Sequence, residues 1–498
     1  MDEFEKLQAR AEEKANKKKT EAVVRMVQNQ PQSELFRDQF SAGYVSLLND
    51  DSKKIMRLKS TDFKKWISYQ FWQKKEEAIG SEVINSAINV LEGFSNFNKE
   101  AKQHQLDVRV SQDERGFWYD LGNSRAVVVN NEGWEIVKNP PILFKHLDHQ
   151  KPQVDPIAGG NINDLLKFTN LKTEDSKLLF LVSVVASFIP NFPHPVLCFH
   201  GAQGSGKSTI SAISKELVDP STIGTLTAPR DINEFVQLAS HHWFIPLDNI
   251  SRLPILLSDL ICRVITGAGF SKRELYSDDS DIVYSFKHIV CLNGINLAPE
   301  KADLLDRSII VELKRMDNFG GEKQLWKDFN LSKSKILGAI FDIIKASIDL
   351  PVEEDISNYR MSDFVAWGCK IAKAMGRTEK EFLMAYKCNL GLQHGFALDN
   401  SPVGQVLLYF MKDKAEWSGT ASELLVEFNK LITFGDIIID TKNHLWPKEP
   451  SWIVRRLTEV LPNLSFKGIK VGLHETGSRS IDIKNINKKL EAGLPESK

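Results

Sequence analysis

The feature that most constrains this chain is the eight-residue, glycine-rich run GAQGSGKS, from Gly201 to Ser208. The residues before it, Val196 to His200, are mostly apolar and predict a short buried strand. The residues after it have the apolar spacing of a helix. A glycine-rich turn between a strand and a helix lets backbone N–H groups face one anion, and the helix amino terminus adds partial positive charge. The sequence therefore predicts a phosphate-binding P-loop.

The residue types at the end of this run predict the ligand more closely. Lys207 is expected to reach the β- and γ-phosphates of ATP, and the Ser208 hydroxyl to ligate Mg²⁺. A chance glycine-rich loop is the alternative, and the flanking strand and helix disfavour it. The predicted nucleotide-binding residues are Gly201, Gly204, Ser205, Gly206, Lys207, Ser208 and Thr209.

An acidic residue, Asp248, closes the next apolar stretch, which begins at Trp243. A carboxylate at a strand end can hold the magnesium shell, the Walker B role; the alternative is a loop aspartate that caps the next helix. Asn249 follows, where many ring ATPases place an acidic residue. A neutral amide cannot accept a proton from water. Asn249 therefore only positions the water, or another carboxylate is the base, or hydrolysis is slow.

Two further polar residues occupy positions typical of an oligomeric ATPase. Asn293 ends a third apolar strand and is predicted to contact the attacking water or the γ-phosphate; a simple turn residue is the alternative. Arg307 precedes a fourth strand and is predicted to act as an arginine finger on a neighbouring subunit. Its alternative role is a surface salt bridge with Asp303 or Asp306. The predicted catalytic set is Lys207, Asp248, Asn249, Asn293 and Arg307.

Composition and pattern predict a multidomain α/β protein. The chain has 498 residues, 42% of them hydrophobic, and a formal net charge of −1, so no overall basic field marks a nucleic-acid binder. No signal peptide or membrane-spanning run is apparent, which predicts a cytoplasmic protein with no membrane partner. The predicted domains are a helical region (1–105), a small β-meander with linker (106–160), the α/β core (161–350), a helical lid (351–400), a winged helix (401–485) and a tail (486–498).

The predicted DNA contacts lie in two places. Between Asp248 and Asn293, an inserted loop and returning strand are expected to point a hairpin at the channel of a ring. In the winged helix, residues 441–498 carry 11 Lys and Arg against 6 Asp and Glu. An intersubunit role for Arg273 and a protein-binding winged helix remain the alternatives. The predicted contacts are Lys272, Arg273, Arg455, Arg456, Lys467, Lys470 and Arg479.

The order of these motifs resembles the AAA+ ring ATPases, especially the superfamily-3 and phage helicase-primase branch. Several stretches are similar to ATP-binding proteins of phages, prophages and integrated mobile elements. These stretches are Leu247–Ser251, Leu257–Arg263, Thr266–Phe270, Arg273–Tyr276 and Leu292–Ile295, with Trp417–Thr420 and Trp446–Lys448 in the winged helix.

The resemblance covers roughly residues 105–480 and implies a P-loop AAA+ core. It implies a DNA-stimulated ATPase that uses ATP and Mg²⁺ and forms a homo-oligomeric ring, most simply a hexamer, on single-stranded or forked DNA. Such a protein is a replicative helicase or a replication initiator. An ATP-gated DNA-binding assembly or helicase loader with slow hydrolysis is the alternative, and Asn249 favours it. Arg360 is the candidate for a sensor-2 arginine.

Overall fold

The computed structural model describes residues 3–49, 52–250, 253–273, 281–284, 286–294, 301–315, 321–442, 445–474 and 480–488. Within these ranges, no helix combines the length and the apolar character needed to cross a membrane.

The first hundred residues form a sheet covered by helices. The elements are α1 (Glu3–Gln28), β1 (Glu34–Arg37), β2 (Gly43–Asn49), β3 (Ser52–Arg57), α2 (Thr61–Lys75), α3 (Ser81–Phe97) and β4 (Lys102–Gln103). The strand order is β3-β2-β1-β4. The prediction of a purely helical region was therefore wrong. The missed signal is the run from Tyr44 to Leu47, whose apolar side chains are buried between polar turns.

The next strands form the meander region. They are β5 (Leu106–Asp107), β6 (Val110–Asp113), β7 (Gly116–Gly122), β8 (Arg125–Val129), β9 (Trp134–Lys138) and β10 (Leu143–Phe144). Strands β6 to β9 pair antiparallel in sequence order, and β5 pairs with β10. Tyr119 and Val127 of this sheet belong to the same hydrophobic core as the α/β layers that follow. The meander is thus packed into the α/β core and is not a separate domain.

The α/β core follows a short 3-10 helix (Ile162–Phe168). Its elements are α4 (Glu174–Ala186), β11 (Val196–His200), α5 (Lys207–Val218), α6 (Ile232–His241), β12 (Phe244–Leu247), α7 (Ile255–Thr266), β13 (Phe270–Arg273), β14 (Asp281–Tyr284), β15 (Ile289–Asn293), α8 (Ala302–Leu305), β16 (Ser308–Glu312) and α9 (Glu322–Ser347). Four strands form one parallel sheet in the order β12-β15-β11-β16.

Helices cover both faces of this sheet, which explains why its strands are apolar without alternation. Leu197 and Phe199 of β11 face the cluster that contains α5, whereas Val196 and Cys198 face the cluster that contains α7. A parallel sheet buried on both sides requires such runs. Because the strands are parallel, their carboxyl ends meet at one edge of the sheet, where the glycine-rich loop, Asp248 and Asn293 lie.

The predicted linker is docked on helix α9. The amide of Ile157 donates to the carbonyl of Ser334, at 2.9 Å. A Cβ added to Gly338 would lie 1.8 Å from the carbonyl oxygen of Ile157, so only glycine permits this approach. The segment lacks regular structure as predicted for a linker, but it is a strap fixed to the core.

Helices α10 (Ser362–Ala374) and α11 (Glu379–Asp399) follow, and α11 covers the open edge of the sheet. The Asn389 side chain exchanges two hydrogen bonds with the backbone of Ile310 in β16, and Gln393 donates to the carbonyl of Ser308. These amides replace a neighbouring strand, and they protect β16 from pairing with another chain.

The last region contains α12 (Pro402–Phe410), β17 (Glu416–Thr420), α13 (Ala421–Thr433), α14 (Pro450–Phe466), β18 (Ile469–Leu473) and β19 (Ser480–Asn485). Three helices pack on a three-stranded sheet of order β17-β19-β18 around their own core. The prediction placed three helices and two strands here. Strand β17 was missed because its exposed and half-buried residues alternate without a strongly apolar face.

Candidate functional site

The glycine-rich loop turns between β11 and α5 in a shape that leaves its amides available to a ligand. Gly204 and Gly206 have φ angles of 77° and 83°, which favour glycine. Gly206 caps α5 without a side chain, so the first N–H groups of the helix have no side-chain partner. The hydroxyl of Ser205 is buried and has no hydrogen-bond partner among the described residues. These features fit the phosphate groups of a nucleotide.

The Lys207 side chain folds back over this loop. Its Nζ donates to the carbonyls of Gly201 and Ala202, at 2.7 and 3.0 Å. Partial burial lowers the pKa of Lys207 below its usual value, and Asp248 acts in the opposite direction. The two carbonyl contacts of Lys207 are not ion pairs, so a bound phosphate would give this ammonium a stronger partner.

Ser208 and Asp248 meet at the carboxyl edge of the sheet. The Ser208 hydroxyl donates to Oδ1 of Asp248, at 3.1 Å. A hydroxyl and a carboxylate at this spacing suit Mg²⁺, which takes oxygen ligands and keeps several waters. No group of three or more His, Cys, Asp and Glu converges in the described ranges. Ser208 and Asp248 would therefore hold the ion together with phosphate and water oxygens.

Asn293 lies behind this pair, buried, with its amide engaged on both sides. Its Oδ1 accepts from the amide of Asn249, at 3.1 Å, and its Nδ2 donates to the Ser211 hydroxyl, at 2.9 Å. Asn249 has a φ of 56°, a left-handed conformation that asparagine tolerates. In this arrangement Asn293 fixes the loop that carries Asp248 and Asn249. A contact with phosphate or water would use the second N–H of Nδ2, because the bond to Ser211 occupies only one of its two hydrogens.

Arg307 directly precedes β16, so it lies at the amino-terminal ends of the sheet strands, opposite the edge that carries the glycine-rich loop and Asp248. Its guanidinium forms an ion pair with the Asp303 carboxylate and donates to the Asp303 carbonyl, and the side chain is 18% exposed. Arg360 binds both Asp303 and Asp306. The chain's own glycine-rich loop is thus beyond the reach of Arg307. A role for Arg307 in catalysis needs a second copy, and the salt bridge with Asp303 holds it in the single chain.

Lys272 and Arg273 lie on β13, which the sequence analysis placed in a loop. The strand pairs antiparallel with β14, with Lys272 opposite Ile282 and Arg273 opposite Asp281. Because β14 leads into the start of β15, this hairpin leaves the same edge of the sheet as Arg307. The tip of the hairpin, residues 274–280, lies outside the described residues.

The predicted winged-helix contacts divide into three groups. Arg455 is 74% exposed, and Lys467 and Lys470 are also exposed, so they form one accessible basic set. Arg456 is only 17% exposed and pairs with Glu459, at 2.9 Å. Arg456 was predicted to contact DNA, but its position on α14 leaves it much less exposed than Arg455. Arg479 lies outside the described residues.

The sequence analysis missed a buried charged cluster at the far end of α5. Asp219, which ends this helix, accepts from Arg109 Nε at 3.1 Å and from Lys215 Nζ at 2.5 Å. It also accepts from the amides of Trp243 and Phe244 at the start of β12. Burial acts to raise the pKa of Asp219, but Lys215 and Arg109 overcome it and hold this pKa well below its usual value. The cluster fixes α5 and β12, the elements that carry Lys207 and Asp248.

The remaining contacts of this cluster join the meander to the core. Arg109, itself 1% exposed, also donates to the carbonyls of Asp120, Lys151 and Pro220. The one signal in the sequence was the spacing of Lys215 and Asp219 on one helix face. Their partner Arg109 stands 110 residues from Asp219, a separation that no local pattern reveals.

Comparison with known families gives two adjacent matches. Residues 162–392 match the family model of the actinomycete integrative conjugative element replication protein, RepA. Residues 403–495 match the model of the RepA C-terminal domain of the same elements. No curated protein matches the chain. The gap between the two matches, residues 393–402, covers the end of α11 and the first residue of α12, where the winged-helix-like region begins. Together the matches support a replication protein of a mobile genetic element, with a role in replication initiation.

Proposed function

We propose that this protein is a P-loop ATPase of AAA+ type that couples ATP hydrolysis to work on DNA during replication of a mobile element. The observation that carries the proposal is the meeting of Lys207, Ser208 and Asp248 at the carboxyl edge of a parallel sheet, with Ser208 and Asp248 in contact at 3.1 Å. ATP would lie on the loop amides, Lys207 would neutralise its phosphates, and Ser208 with Asp248 would hold Mg²⁺.

Hydrolysis would require two copies of the chain. Lys207 and Arg307 lie at opposite edges of one sheet, so one subunit cannot place both on the same phosphates. A head-to-tail ring brings the two edges of neighbouring subunits together, and the resemblance to ring ATPases implies a hexamer. In that ring, Arg307 would exchange Asp303 for the γ-phosphate of the neighbour. The β13–β14 hairpin, which carries Lys272 and Arg273, extends from the same edge of the sheet as Arg307. A movement of Arg307 would therefore also move the hairpin and any DNA bound to it.

Mixing two inactive variants tests this arrangement directly. Lys207→Ala lacks the phosphate-binding lysine, and Arg307→Ala lacks the finger, so each is expected to lose turnover alone. In an equal mixture, one of the four possible pairs of neighbours places an intact Lys207 against an intact Arg307. About a quarter of the sites should therefore be active. Mixing Lys207→Ala with Lys207→Arg is the control and should recover nothing. No recovery in the first mixture would refute a site shared between subunits.

A second function is favoured by the geometry around Asn249. Its side chain cannot act as a base, and its backbone amide is held by Asn293. Under this alternative, ATP binding fixes a DNA-bound assembly or a helicase loader, and turnover is slow. Sedimentation with ATP and with a non-hydrolysable analogue distinguishes the two functions. Equal assembly with both nucleotides and no strand displacement would favour the alternative.

A further inference from the structure

A large cavity lies away from the glycine-rich loop, between the N-terminal sheet and the meander. Its volume is about 970 Å³, near the upper end of the range for ligand pockets. Its walls come from β3 and the start of α2, from the turn after β7, and from the segment that follows β10. All of its lining residues except His241 lie outside both regions that match the RepA families.

Cations predominate in the lining. Three carboxylates, Asp62, Asp120 and Asp148, face six basic side chains, which are Lys53, Lys54, Arg57, Arg109, Lys145 and Lys151. Arg109 and Lys151 have acidic partners, Asp219 and Glu216. For the other four, no carboxylate lies within ion-pair distance in the described part of the chain. Among the described residues, the lining therefore carries more basic than acidic side chains, and the buried carboxylate that acts on Arg57 and Lys145 is Asp38.

Arg57 and Lys145 approach each other in this cavity. Lys145 Nζ donates to the carbonyl of Ser240, at 3.2 Å. Burial lowers the pKa of Lys145 to about 8, Arg57 lowers it as well, and Asp38 opposes them. His241 also lines the cavity, and its pKa falls to about 4 because of burial and Lys145. His241 is thus neutral at pH 7. An anion between Arg57 and Lys145 would remove the repulsion between them.

Two more features suit a phosphate. The amino terminus of α2, a 15-residue helix, contributes Ser60 and Thr61 to the wall. The side-chain nitrogen of Gln150 is buried and has no hydrogen-bond partner among the described residues. The tyrosine in the lining, Tyr44, is buried, so the described lining offers mainly charge and amide donors and no exposed Phe, Tyr or Trp for stacking. Such a lining recognises a phosphate backbone without reading bases.

We propose that this cavity binds the sugar-phosphate backbone of single-stranded nucleic acid. The choice of a nucleic acid rests on the proposed function in replication, whereas the choice of phosphate rests on Lys53, Lys54, Arg57 and Lys145, which have no ion-pair partner within the described ranges.

The cavity has a direct structural connection to the predicted ATP site. Arg109 in its wall binds Asp219, which ends α5, and Lys207 begins that same helix. The 12 residues of α5 span about 18 Å, so the two sites are distinct. A strand bound in the cavity would therefore act on the far end of the helix that binds the phosphates of ATP.

Hydrogen–deuterium exchange of the full chain tests the cavity itself. A twelve-nucleotide oligothymidylate is expected to slow exchange in peptides covering 52–62 and 145–152. Arg57→Glu should abolish this protection, because it reverses the charge of an exposed side chain at the cavity. Lys74→Glu makes the same charge change at the other end of α2 and should leave the protection intact. If Arg57→Glu fails to fold, Lys53→Glu replaces it.

Three results would overturn the proposal. They are no protection in the natural chain, equal protection in Arg57→Glu and Lys74→Glu, and protection by thymidine monophosphate equal to that by the oligonucleotide at the same phosphate concentration. Lys207→Ala separates this proposal from the ATPase. It should lose turnover and keep the protection, so either proposal can fail while the other stands.

Discussion

Replacing Asp219 by asparagine would disturb the charged cluster that joins α5, β12 and the meander. The carboxylate neutralises two buried cations, Arg109 and Lys215, and accepts two backbone amides. In the variant, both cations stay buried without a counter-charge, and the new NH₂ group can face the Lys215 ammonium as donor against donor. Removing one partner of a buried ion pair costs about 3–5 kcal/mol. We expect Asp219→Asn to lower the free energy of unfolding by that amount at pH 7.

Urea unfolding of both chains measures this difference. The control is Glu174→Gln, which removes an exposed partner of Lys177 and should change the free energy of unfolding far less than Asp219→Asn does. The effect of Asp219 also depends on pH. Its pKa is depressed in the folded chain, whereas in the unfolded chain it is about 3.9. The difference between the natural chain and the variant should thus be complete above about pH 5 and shrink as pH falls below about 4. Equal costs for Asp219→Asn and Glu174→Gln at pH 7 would refute this reasoning.

Three further predictions follow from the site, the cavity and the strap. Asn293→Ala should lower ATP turnover about tenfold and change the affinity for a fluorescent ATP analogue less than about threefold, because Asn293 holds the Asp248 loop and not the phosphates. Oligonucleotide protection at the cavity should weaken between pH 7 and 9, as Lys145 loses its proton near pH 8, and Lys145→Arg should remove this dependence. Gly338→Ala should lower the melting temperature, because its Cβ would meet a carbonyl at 1.8 Å, whereas Gly395→Ala within helix α11 meets nothing within 4 Å.

The glycine-rich loop with its flanking strand and helix could be predicted, because residues close together in the sequence specify them. The glycines of the loop, the apolar run before Gly201 and the helical spacing after Lys207 each report on neighbouring residues only. The position of Asp248 near this loop could also be predicted, since parallel strands bring their carboxyl ends to one edge of the sheet. The structure places Ser208 and Asp248 in contact, as the sequence analysis had paired them.

Contacts between distant residues could not be predicted in this way. The bond from Arg109 to Asp219 depends on how the meander packs on the core. The burial of Arg456 depends on the rotation of α14, which helical spacing fixes only to within part of a turn. Strand β17 and the N-terminal sheet depend on partners elsewhere in the chain more than on their own composition. The cavity arises from three such segments, none of which carries a motif.

The central claim is that the glycine-rich loop binds and hydrolyses ATP in a way that DNA controls. The most direct test is the ATP hydrolysis rate of the full chain and of Lys207→Ala, each with and without a single-stranded oligonucleotide. The natural chain is predicted to hydrolyse ATP faster when the oligonucleotide is present, and Lys207→Ala to remain at background in both conditions. Turnover that is unaffected by DNA, or equal turnover in Lys207→Ala, would contradict it.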